Sequence, residues 1–150
     1  MKTTARTLTL AINGLSALMA AVMPATASYY CGQLVDEVQS KLNQLNKAKE
    51  KAFKDAGCTL VSTMKAKEQQ TVDGVTTEVE VEKPCPQYWH HDDPAVMEAV
   101  NKQLEDLMDT EVTVIAARLD LAMFADVKLP GNTFVHLLWA IKKPDEPKAA

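Results

Sequence analysis

The chain has 150 residues, 47% of them hydrophobic and 24% charged, enough for one domain with a modest core. Twenty Asp and Glu outnumber 16 Lys and Arg, giving a net charge of −4 at pH 7. That sign argues against nucleic acid, whose phosphates are held by clustered Lys and Arg, and fits an ordinary soluble surface.

The N-terminus carries the three parts of a secretion signal. Lys2 and Arg6 form a basic end, a mostly apolar run extends from Leu8 to Met23, and Ala25-Thr26-Ala27 supplies the small side chains that signal peptidase requires. Cleavage is expected before Ser28, which makes residues 1–27 a signal peptide, 28–143 a single α+β domain and 144–150 a polar, disordered tail. The competing reading is an uncleaved anchor. Interrupted by Asn13, Gly14 and Ser16, the run falls short of the roughly 20 residues that span a bilayer. Ser28-Tyr29-Tyr30 is also a poor lipid-attachment sequence ahead of Cys31. No later stretch is long and apolar enough to cross a membrane, so the expected location is periplasmic or secreted. Every acidic residue lies beyond the leader, whereas Lys2 and Arg6 lie in it, so the exported remainder is more acidic than the whole chain.

From Leu34 to Ala56 the apolar residues Val35, Val38, Leu42, Leu45 and Ala52 recur at helical spacing, and Gly57 provides the stop. The opposite face carries Gln39, Lys41, Gln44, Lys47, Glu50 and Lys51 and reads as solvated. The apolar positions also fit a heptad whose seam Lys49 breaks, but three heptads are marginal for a coiled coil, so core packing is the expected use.

Asp73-Gly74 then predicts a hairpin, because this pair suits the positive φ angles of a type I′ turn. A two-residue loop opposes Val72 to Val75, Glu68 to Val79 and Ala66 to Val81 on one face, and Lys67 to Glu80 and Lys65 to Glu82 on the other. Opposite charges meeting twice support that register independently. Past Pro84-Cys85-Pro86, which cannot be helical, Asp93 and Pro94 form the cap and first turn of a second helix reaching about Asp109. Its apolar set Val96, Met97, Val100, Leu104 and Leu107 repeats Leu34, Val35, Val38, Leu42 and Leu45 at a constant offset, as two amphipathic helices will.

Between Glu111 and Leu129 the pattern fits either a helix or a strand. Pairing favours the strand. A turn at Pro130-Gly131-Asn132 opposes Leu121 to Ile141, Met123 to Trp139, Ala125 to Leu137 and Val127 to Val135, with Asp126 facing His136 and Asp120 facing Lys142 on the other side. The expected architecture is helix, hairpin, helix, hairpin, a two-layer α+β fold with a roughly four-stranded antiparallel sheet. The alternative is a mainly α fold with one β-hairpin.

In an oxidising compartment the three cysteines become informative. Cys31 and Cys58 lie at opposite ends of the first helix, on the order of 35 to 40 Å apart, and cannot pair. Cys58 and Cys85 bracket the hairpin, so a disulfide between them is expected, worth about 3 kcal/mol by loop entropy. Cys31 is left as an intermolecular or free thiol. His90, His91 and Asp92 hold metal-ligand chemistry, although adjacent histidines converge on one ion only in a bent loop, and the aspartates also suit a helix N-terminus. His136, set in an apolar run, reads as a core histidine or one paired with Asp126. Tyr29, Tyr30, Tyr88 and Trp89 fall outside the expected elements and are candidate interface residues in a chain with 5% aromatics.

Motifs for catalysis are lacking: there is no Cys-x-x-Cys, no Gly-rich phosphate loop and no Gly-x-Ser-x-Gly. The leading expectation is therefore a small exported protein of the bacterial envelope, not an enzyme and without a cofactor. It would act as a protein-binding or assembly module with an envelope partner, or as a homodimer linked through Cys31. Two alternatives stay open, an envelope metal-binding protein using His90, His91 and Asp92, and a periplasmic hydrolase whose site the sequence does not reveal.

Overall fold

A computed structural model describes residues 1–143, so the tail expected at 144–150 lies outside the described residues. The chain divides into two compact units, one formed by Met1–Ala48 with the chain from Leu104 onward, the other by Lys49–Gln103.

In the first unit the N-terminal residues are part of the core. Strand β1 (Lys2–Thr4) leads into helix α1 (Ala5–Ala20), whose first turn is capped by the Thr4 side chain accepting from the Thr7 N–H at 3.2 Å. Ala5, Leu8, Ala11, Leu15 and Leu18 recur every three or four residues and are buried along one face of α1. The helix ends where Ala21 turns extended, shortly before Pro24. Helix α2 (Ala25–Asp55) starts nine residues ahead of Leu34 and buries Ala27, Cys31, Leu34, Val38, Leu42 and Leu45 in the same core.

Polar contacts fasten the N-terminus. β1 pairs antiparallel with β4 (Glu111–Thr113), and the Met1 ammonium donates to the Val114 carbonyl at 2.7 Å. Lys2 meets Glu111 at 2.8 Å, and Arg6 reaches Glu105 at 2.7 Å and Asp109 at 3.0 Å. Hydrogen bonds to these carboxylates raise both basic pKa values, but the groups are solvated and contribute little to stability.

The second hairpin expected between residues 119 and 141 does not form. Leu119 makes one isolated parallel bridge to Ile141, and the rest of the segment is built of turns, with single 3-10 turns at Leu121–Phe124 and Leu138–Ala140. After Pro130-Gly131-Asn132 the bonds run three residues back, Thr133 to Pro130, Val135 to Asn132, Leu137 to Phe134 and Ala140 to Leu137. The physical reason lies in which residues the core accepts. Leu119, Phe124, Leu137 and Ala140 are buried, whereas Leu121 and Val135, inward-facing in the expected strands, are 50% and 57% exposed. That spacing is not two, so alternation along the segment did not report a sheet. The helical alternative is not realised either, as no α-helix follows Met108 among the described residues.

The second unit holds the long hairpin β2 (Thr59–Val72) and β3 (Val75–His90). Its register matches the expectation residue for residue, with Val72 opposite Val75, Glu68 opposite Val79, Ala66 opposite Val81, Lys67 opposite Glu80 and Lys65 opposite Glu82. Asp73 and Gly74 take φ angles of 52° and 76°, as a type I′ turn demands. Ahead of β2, helix α2 ends at Gly57 with φ 77°, where Cys58 N–H bonds Phe53 O and Gly57 N–H bonds Lys54 O, closing a Schellman cap. Helix α3 (Pro94–Met108) is capped as expected, the Asp93 carboxylate accepting from the Ala95 N–H at 2.9 Å.

The class is α+β. In place of one four-stranded sheet, the described residues carry two separate two-stranded antiparallel sheets. No described helix is long and apolar enough to cross a membrane.

Candidate binding surface

The β2–β3 ribbon has two unlike faces, because successive side chains alternate across it. One face carries Lys65 and Lys67 from β2 and Glu78, Glu80 and Glu82 from β3. The ion pairs run diagonally, Lys65 to Glu80 at 3.5 Å and Lys67 to Glu78 at 2.7 Å, not to the residues directly opposite. Strand twist brings the diagonal neighbour within reach of a long side chain. The other face carries Met64, Ala66, Val72, Val75, Val79 and Val81, crossed by the Lys83–Glu68 ion pair and by Gln70 opposite Thr77. At the tip Val72 and Val75 are 65% and 63% exposed.

Both strands of a two-stranded ribbon are edges, and their charges disfavour like-with-like pairing to another copy. β2 against β2 would set Lys65 and Lys67 against the same lysines, and β3 against β3 would oppose three glutamates to three more.

Where the ribbon begins, Phe53 and Trp89 stack with centroids 5.2 Å apart and planes 5° from parallel. Glu50, Lys54, Cys58, Leu60, Gln87 and Trp89 line a shallow cleft beside them. Cys58 is buried, with its thiol 3.8 Å from the Met97 sulfur.

The disulfide expected between Cys58 and Cys85 is not formed, and all three cysteines are free thiols. The hairpin is longer than the prolines implied. β3 runs through Pro84-Cys85-Pro86 to His90, with Thr59 opposite His90 and Thr63 opposite Pro84 across an irregularity between Val61 and Thr63. An edge strand tolerates proline, particularly beside such a bulge. Cys85 therefore sits four or five positions up the ribbon from Cys58, on the order of 13 to 16 Å at about 3.3 Å per residue. A disulfide spans less than half of that. Cys31, expected near an accessible N-terminus, is fully buried in the core of the first unit, and burial pushes its thiol pKa up.

The histidine cluster is engaged locally. His90 lies 3.3 Å from the Asp92 carboxylate, while His91 Nδ1 accepts the Asp93 N–H at 2.9 Å. No group of three metal-ligating side chains occurs among the described residues. His136 is exposed, not core, and its carbonyl accepts the Trp139 indole N–H at 2.9 Å.

The four aromatic candidates lie inside regular elements, contrary to expectation. Tyr29 and Tyr30 stand on α2, edge to face at 5.6 Å, and Tyr88 and Trp89 stand on β3. Tyr29 and Tyr88 are exposed, whereas Trp89 is half-buried against Phe53. Sequence reasoning missed Phe53, whose partner emerges only once β3 is carried past its prolines. Comparison with family models, with curated proteins and with solved structures finds no match for this chain.

Proposed function

We propose that the chain is an exported protein of the bacterial envelope, periplasmic or secreted, from which residues 1–27 are removed. It acts without catalytic turnover, as a protein-binding or assembly module. The ribbon is the binding surface, and the observation that supports this reading is its valine face. An isolated two-stranded hairpin is marginal in water, and a long one that leaves Val72 and Val75 open gains stability when a partner covers them. The acidic, charge-laddered opposite face keeps the arm soluble and sets its orientation on that partner. A covalent dimer through Cys31 requires α1 to leave, because Cys31 lies in the core that α1 helps to form.

Capture from an envelope fraction tests the reading, using the wild-type chain and a Val72→Lys, Val75→Lys variant, each with and without reductant. The wild type retains a partner that the variant loses while its hairpin persists by circular dichroism. Equal capture by both chains contradicts the assignment of the ribbon.

A further inference from the structure

The bond expected to be cleaved, between Ala27 and Ser28, lies inside the fold. Signal peptidase reads small side chains at Ala25 and Ala27, and a pair two residues apart presents both methyl groups on one side only when the backbone is extended. Residues 25–27 instead open helix α2, where positions two apart point roughly 200° from each other. Ala25 is exposed, whereas Ala27 is 1% exposed and belongs to the same buried core as Leu8, Leu18 and Cys31. The amide to be cut is engaged as well, its Ser28 N–H donating to the Pro24 carbonyl at 3.0 Å.

The far end of the chain closes over the same place. Met23, Pro24 and Ala27 share a cleft with Met123, Asp126 and Val127, and Leu119, Phe124 and Leu137 are buried in the core that takes Ala27. These C-terminal residues are the last to be synthesised, so the core around Ala27 is incomplete until the whole chain is made. After that, a protease reaches the bond only through opening of the fold, at a rate that follows how often the fold opens.

We propose that folding of the first unit and removal of the leader exclude one another, the folded full-length chain being closed to signal peptidase at Ala27–Ser28. This adds a regulation to the export proposed above and rests on that reading. A chain processed before residues 119–141 pack loses α1 and becomes the exported form. A chain that folds first keeps residues 1–27, with α1 in its core and the Met1 ammonium on the Val114 carbonyl. The order of the two events, and not the leader sequence alone, decides the product.

The test incubates the purified full-length chain with bacterial signal peptidase, in detergent that leaves the wild type folded by circular dichroism, and follows the N-terminus by intact mass. The comparison chain is Leu137→Asp. Leu137 is fully buried and lies against Gly14, so a carboxylate there opens the first unit, while residues 1–27 and the cleavage sequence are untouched. Whether the variant is loosened or wholly unfolded, its leader becomes accessible. Leu137→Asp is cut before Ser28 more than about ten-fold faster than the wild type. A smaller difference, with both chains cut before Ser28, overturns the inference alone. If neither chain is cut there, the export reading falls and the inference falls with it.

Discussion

Gly14 of α1 lies against the backbone carbonyl of Thr133. A Cβ placed on it would overlap that oxygen and stand 3.0 Å from the Leu137 side chain, so the turn at residues 130–137 packs on α1 only because residue 14 has no side chain. In the chain that retains residues 1–27, Gly14→Ala forces two backbones apart and costs about 1 to 3 kcal/mol, despite the better helix propensity of alanine. Denaturant unfolding of the full-length chain checks this. Unchanged or increased stability contradicts the packing of α1 in the core.

Trp89 and Phe53 tie β3 to the C-terminal end of α2 within the second unit. Truncating the half-buried indole in Trp89→Ala removes its area and its stacking partner, and a loss of about 1 to 3 kcal/mol is expected. Denaturant unfolding of the wild type and the variant checks this, and equal stability contradicts the stack.

At the ribbon tip Gly74 has φ 76°, a conformation that alanine adopts only with strain. Gly74→Ala is expected to weaken the hairpin by about 1 kcal/mol. Amide hydrogen exchange accelerates from Gln69 to Glu78 while α1 and α2 keep their protection. Exchange that is unaffected at the tip contradicts the type I′ turn.

Burial raises the Cys31 thiol pKa above its ordinary value of 9.0 in the full-length chain. The neutral thiol is therefore favoured by the fold. Its contribution to stability is whole below pH 9 and is lost as pH rises from there through the folded value. Stability measured between pH 8 and 11 should fall more steeply for the wild type than for Cys31→Ala. Parallel curves contradict the burial of this thiol.

The first hairpin was legible because several local signals agreed. Asp73-Gly74 fixed the turn, and two Lys–Glu pairs opposed each other in only one register. The start of α3 was equally plain from Asp93 and Pro94. The C-terminal third misled because its alternation described a strand that the core had no place for; what the core accepts is Leu119, Phe124, Leu137 and Ala140, and their spacing belongs to consecutive turns. Pro84 and Pro86 were read as the end of the hairpin, and on a strand with a neighbour on one side only they are not. That single misjudged boundary accounts for both the unformed Cys58–Cys85 bridge and the unseen Phe53–Trp89 stack. A leader's apolar run and a buried helix have the same composition, so α1's place in the core was not legible from the run between Leu8 and Met23.

Removal of residues 1–27 is read most directly from the intact mass of the protein recovered from fractionated cells. The prediction is a chain beginning at Ser28 in the periplasm or the medium. A chain beginning at Met1 and found in the cytosol, with α1 still in its core, contradicts it.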